Sequence, residues 1–152
     1  MVFIKVRQLR LRLVSGAPLT VTLGVHNMTD EIIEQANDLW SQGNEDEAID
    51  LLMPLAEGGH IVAKAALGLL LCHYLKNNEF PKLEDGAKLL LEACNAGEAS
   101  ACHNLGTLWL GHSPAIGKDI RKAASFYLKA RELGGPIAEE GFYQEWERVL
   151  NG

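Results

Sequence analysis

Residues 97–134 read GEASACHNLGTLWLGHSPAIGKDIRKAASFYLKARELG, and the fold turns on what the glycines and alanines in this stretch are for. Gly97 and Gly134 bracket it, and Gly59 stands 38 residues before Gly97. Four residues after each glycine come Ala63, Ala101 and Ala138; eight after come Leu67, Leu105 and Phe142. Gly68 and Gly106 follow in two of the copies, and Ala48, Gly86 and Ala123 lie eleven residues upstream of the three glycines. Every column steps by 38 and then 37 residues. A register held across several independent columns marks stacked helical repeats.

The residue types in the columns suit that reading. Small side chains at Ala63, Gly68, Ala101 and Gly106 let antiparallel helices approach closely, while Leu67, Leu70, Leu105 and Leu108 recur at helical spacing and supply a buried face. Gly59, Gly97 and Gly134 fit helix ends that need a left-handed residue. Pro81 and Pro114 fall in loops, and Pro136 suits the first turn of a new helix. The chain therefore reads as seven helices at about 30–43, 45–58, 60–77, 82–96, 98–111, 119–133 and 136–150. Asp30 and Glu31 are placed at the first N-terminus, and Glu45, Asp46, Glu47 and Asp50 in a solvated first turn, where the helix dipole favours acids.

The patterns GxxxAxxxLG and KAxxFYxKAxxxG, present as GEASACHNLG and KAASFYLKARELG, resemble the Sel1-like repeat, a relative of the tetratricopeptide repeat. ANDLWSQGNEDEAIDLL is similar to the tighter tetratricopeptide spacing, with Ala36, Leu39, Gly43, Ala48 and Leu52. The resemblance spans residues 30 to about 150 and is loosest at 60–97, where Gly86 stands in an alanine column and CHYLKNNEFPKLED makes an unusual loop. It implies an all-α fold, a right-handed αα-hairpin superhelix, with a capping helix at the C-terminus. It also implies a non-catalytic interaction module with no cofactor, binding a peptide or helix of a partner protein on its concave face.

Residues 1–28 differ from the rest. Leu9, Leu11 and Leu13 alternate with Arg10 and Arg12, and Leu19, Val21, Leu23 and Val25 repeat every second residue around the turn-like SGAP. This N-terminal extension reads as a short β-hairpin, as a disordered or non-native stretch ahead of a start at Met28, or as a targeting segment, although its bases scatter around a helical wheel. The repeat domain is then 29–152. The extension carries four bases and no acid, whereas residues 29–152 carry 20 acids and 10 bases, a charge of −10 within the total of −6. An acidic body disfavours nucleic acid, and no apolar run reaches the length a membrane span needs, so neither is an expected partner. Three cysteines without a secretory signal suggest free thiols and a cytoplasmic setting.

Chemistry has few candidates. Cys102 and His103 are neighbours about 100° apart on a helix, so they cannot both point at one metal ion without strain. No CxxC or paired zinc histidines complete a site, and no metal is expected. A thiol-dependent, hydrolase-like enzyme using Cys102 with His103 or His112 is the competing function. The gap between Cys94 and Cys102 is similar to that of the cysteine-rich, secreted Sel1-like branch, which implies a disulfide and a third reading, an exported stapled repeat protein. That branch repeats the pair in each unit, and here the equivalent positions hold Ala56 with Lys64 and Arg131 with Glu139. The plainer reading makes Cys94 a small hydrophobe in an alanine column. Trp40, Trp109 and Trp146 read as packing residues. If Leu67, Leu70 and Tyr74 face the core, the partner-binding face is Val62, Ala65, Leu69 and His73 on one helix, with Ser100, His103, Thr107 and Leu110 on the next.

Overall fold

The computed structural model of the chain describes residues 20–77, 79, 81–112, 117–135 and 140–152, and among these every regular element is a helix. In chain order they are α1 (Thr20–Ser41), α2 (Glu45–Glu57), α3 (Ile61–His73), α4 (Leu83–Asn95), α5 (Ala99–Thr107), α6 (Ile120–Glu132) and α7 (Glu140–Asn151). Beyond Thr107, α5 widens into a π-helical turn, Leu108–His112, broken at Gly111 with φ 92°. Each helix packs chiefly on its neighbours in the chain, and the closest pairs are the hairpins α3/α4 and α5/α6. The first helices of successive hairpins also touch, α1 on α3 and α3 on α5.

Six of the seven helices fall within four residues of the expected bounds, and the exception is the start of α1. Thr20–Asn27 are not a strand but the first two turns of α1, so Asp30 and Glu31 lie inside that helix and not at its N-terminus. Once the packed part of α1 exists, each added residue contributes a hydrogen bond at the cost of one pair of dihedrals. A strand at 21–25 needs a pairing partner, and no strand is present among the described residues. The rest of the N-terminal extension, 1–19, lies outside them, as do Pro114, Pro136 and Ala138.

The glycine column behaves as one motif used three times. Gly59, Gly97 and Gly134 have φ of 89°, 98° and 74°. After α2 the N–H of Gly59 donates to Ala56 O and that of His60 to Leu55 O; after α4 the pairs are Gly97 to Cys94 and Glu98 to Ala93; after α6 they are Gly134 to Arg131 and Gly135 to Ala130. These bonds satisfy the last carbonyls of α2, α4 and α6 and turn the chain toward the next helix. Side chains cap the starts of α3, α5 and α6: His60 Nδ1 accepts from Ala63 N at 3.2 Å, Glu98 from Ser100 N at 3.3 Å and Asp119 from Lys122 N at 3.0 Å. The loop between α3 and α4 closes on itself, with Lys76 and Glu79 exchanging both backbone hydrogen bonds around Asn77 at φ 54°.

Ala48, Ala63, Ala101 and Ala123 are wholly buried. One core gathers Ile33, Ala48, Ile49, Leu52, Leu67 and Leu70 from α1, α2 and α3; a second gathers Leu83, Leu90, Ala101, Leu105 and Ala130 from α4, α5 and α6, with Leu108 of the π-helical turn and Ala65 and Cys72 of α3. Gly86, which breaks the alanine column, has a reason to be glycine. A Cβ there would lie 2.6 Å from Gly68 O and 2.7 Å from Cys72 N, because the backbones of α3 and α4 meet at this pair. Gly86→Ala is therefore expected to cost about 1–3 kcal/mol of overpacking, even though alanine is the residue at the equivalent positions 48 and 123. Urea unfolding checks this, and an unchanged midpoint would show that α3 and α4 do not approach this closely.

Candidate functional site

Helices α3 and α5 each carry a stripe of exposed and half-buried residues. On α3 it is Val62, 45% exposed, then Ala66 and Leu69, half-buried, and His73, exposed. The equivalent residues of α5 are Ser100, exposed, with Asn104 and Thr107, half-buried. Steps of four, three and four residues hold such a stripe on one side of a helix. His73 Nδ1 lies 2.9 Å from Leu69 O, and its ring sits 5.9 Å from Trp40 of α1. The stripes lie on helices that touch, apolar on α3 at Val62, Ala66 and Leu69 and polar on α5 at Ser100, Asn104 and Thr107, with Trp40 of α1 beside His73.

Five of the eight expected residues, Val62, Leu69, His73, Ser100 and Thr107, share this strip; Leu110 is half-buried in the π-helical turn. Two do not belong to an open surface. Ala65 is 4% exposed and joins the core that α4, α5 and α6 build. His103, its equivalent one repeat on, turns toward α6 and α7, with its ring 5.0 Å from Tyr127 and 6.4 Å from Phe142. Ala66 and Asn104, one residue further along each helix, take their places. The signal that could have found them is burial of the leucine at 71, which rotates the inward face of α3 away from position 66.

His103 is instead part of the junction that docks α7. Tyr127 stacks on Trp146 at 5.0 Å and meets Phe142 edge-on at 5.0 Å, and its hydroxyl pairs with Thr107 Oγ1 at 2.9 Å. His103 Nδ1 and Trp146 Nε1 are both buried there without a hydrogen-bond partner among the described residues. Burial holds the His103 pKa below the ordinary imidazole value, so the folded chain favours the neutral ring. Its contribution is complete above the unfolded value of about 6.5 and is lost as pH falls, because the unfolded chain then takes up a proton that the folded one resists. The unfolding free energy should consequently drop less between about pH 7.5 and about pH 5.5 in His103→Phe than in the unmodified chain. Equal drops in denaturant titrations would mean that the ring is solvated.

The cysteines separate into two kinds. Cys94 and Cys102 are joined in a disulfide with Cα atoms 4.8 Å apart, stapling the last turn of α4 to the first of α5, and both are fully buried. The bond replaces the reading of Cys94 as a plain hydrophobe and of the thiols as free. It also leaves Cys102 without the thiolate that pairing with His103 or His112 would require. Cys72 is free but buried, which pushes its thiol pKa up to about 12. No group of three or more metal-ligating side chains converges among the described residues, and no described helix is long and apolar enough to cross a membrane.

A second feature lies on the far side of α5. The outer helices α4 and α6 flank an open apolar groove of about 440 Å³, floored by Leu105, Leu108 and Trp109 and walled by Leu91 and Phe126. Trp109 is thus half-buried packing on one face and groove lining on the other, with Lys122 Nζ 4.2 Å above its ring. No residue pattern announced this groove, because three helices build it. No family model matches the chain, and neither does any curated protein or solved structure in the comparisons made.

Proposed function

We propose that the chain is a Sel1-like, tetratricopeptide-like repeat module, its hairpins stacked as a right-handed superhelix, that works by binding rather than by catalysis. Its partner is a protein that lays a peptide or short helix along the strip of α1, α3 and α5. The observation that carries this is the register of the open stripes: Val62, Ala66 and Leu69 recur as Ser100, Asn104 and Thr107, on helices that touch. Small and apolar side chains in such a strip admit a partner's backbone closely, and few charges oppose desolvation. No cofactor, nucleic acid or membrane enters the reading.

Placing a charge on the strip tests it. Val62→Asp with Leu69→Asp should reduce capture of a native partner from extract by at least tenfold, whereas Leu133→Asp, at an exposed leucine off the strip, should not. Undiminished capture by the double variant would remove the strip from the function. As for compartment, the Cys94–Cys102 bridge supports the exported reading over the cytoplasmic one, since disulfides persist chiefly in oxidising surroundings. Alkylating native extract before mass measurement checks this: a chain labelled at Cys72 alone after unfolding is bridged in its own compartment, and one labelled at three cysteines is not.

A further inference from the structure

The groove between α4 and α6 has a counterpart one repeat earlier, and the comparison between the two shows what the later one is suited to hold. Between α2 and α4 lies a smaller hollow of about 260 Å³ lined by Met53, Leu67, Leu71 and Leu89. One repeat on, these positions are Leu91, Leu105, Trp109 and Phe126, so the two grooves are the same architectural site used twice. They differ in size and in sign. Asp85 and Glu92 line the earlier hollow along with Lys88, and Glu92 is paired with Lys64 at 3.0 Å. In the later groove Lys122 takes the place of Asp85, Lys88 stands opposite, and no carboxylate is among the lining residues. Lys122 reaches Asp119 only at 4.0 Å and otherwise lies over the Trp109 ring.

The wider setting reinforces the contrast. Residues 29–152 carry a charge of −10, yet the segment 118–132 that includes α6 holds five bases, Lys118, Arg121, Lys122, Lys129 and Arg131, against Asp119 and Glu132. Arg121 and Arg131 are committed to α7, through Leu150 O and Glu147, and Lys129 to Asn95, which leaves Lys88 and Lys122 as the cations at the groove. The groove therefore offers a half-buried tryptophan, walled by Leu91 and Phe126, between two ammonium groups. Aromatic floors of this kind anchor a large apolar side chain, and flanking cations select carboxylates beside it and reject bases.

We infer that the α4/α6 groove docks a second partner segment, one in which a large apolar side chain is bracketed by aspartate or glutamate. This site is separate from the strip of α1, α3 and α5 and stands whether or not that strip binds a peptide. The two together would make the chain an adaptor that holds two segments on different sides of α5.

A displayed library of random dodecapeptides, selected on the full chain with its disulfide intact, tests the inference. The enriched peptides should carry a bulky apolar residue flanked by acids and should bind more weakly as salt rises. Their affinity should fall at least tenfold for Leu91→Glu and for Lys122→Glu, and stay unchanged for Met53→Glu in the earlier hollow and for Val62→Asp on the strip. Leu91, Met53 and Val62 are each more than a third exposed, so these variants should keep the parent's circular dichroism and unfolding midpoint. No enrichment, enrichment of basic or uncharged peptides, or binding that survives Leu91→Glu would overturn it. So would concentration-dependent dimerisation in sedimentation that Leu91→Glu abolishes, because a second copy would then be the occupant.

Discussion

Replacing Leu90 with alanine is expected to lower the unfolding free energy by about 2–5 kcal/mol, and toward the upper part of that range. Leu90 is fully buried and sits in the core shared by α4, α5 and α6. The cost of such a change depends on how far the surroundings can close over the space left behind. Here they cannot close far. A Cβ on Gly68 would already stand 2.9 Å from Leu90 N and 2.9 Å from Gly86 O, so the α3 and α4 backbones are in contact beside the side chain that would be removed. Two touching backbones leave no slack for collapse. Denaturant titration should show a lower midpoint with an unchanged slope, as befits a change in the native packing alone. A loss below about 1 kcal/mol would show that the hairpin α3/α4 is looser than drawn.

The contact that makes Leu90 so sensitive also marks the edge of what the sequence discloses. Helix number and hairpin order were legible because they rest on short-range periodicity repeated at 38 and 37 residues. The three left-handed glycines were legible because a helix end of that type makes a local demand. Gly86 looked like a lapse in an alanine column, since its reason is the backbone of Gly68, eighteen positions away and on another helix. The open strip was placed one residue out at Ala65 and His103 for a different cause. Its phase was anchored on Leu67, Leu70 and Tyr74, but Leu71 and Cys72 are buried as well, so the inward face of α3 reaches round to Ala65. At about 100° per residue, a stripe placed one position out moves a side chain from surface to core. The strand period of residues 21–25 was real but local, and the adjoining helix absorbed it.

The aromatic junction and the groove were hidden for a third reason. His103, Tyr127, Phe142 and Trp146 come from three helices, and nothing in the spacing of any one of them says that the rings meet. The same holds for Leu91, Trp109 and Phe126 around the groove. Yet both can be seen as consequences of the repeat once the hairpins are stacked. Position 127 shares a column with Leu90, and position 109 with Leu71.

The disulfide is the largest departure from the repeat, and removing it should cost less than emptying the Leu90 site but still rank next to it. Cys94→Ala combined with Cys102→Ala is expected to lose about 2–3 kcal/mol, chiefly because the unfolded chain regains the freedom that a closed loop denies it. The loop is short, eight residues in sequence separation, which keeps the value at the lower end of what disulfides contribute. In the folded chain the staple is close to redundant. The bonded cysteines lie where Gly97 and the hydrogen bonds of Gly97 and Glu98 already hold the end of α4 against the start of α5. The other two hairpin junctions make the same turn without a bridge, using Ala56 with Lys64 in one and Arg131 in the other. The double variant should therefore keep the parent's helix content by circular dichroism while its unfolding midpoint drops. Unfolding the unmodified chain in a thiol reductant should move its midpoint the same way, and by a similar amount, because the thiols left behind fill the same space as the bridge. A midpoint indifferent to both treatments would mean that the bond does not form, and with it would go the support for an oxidising compartment.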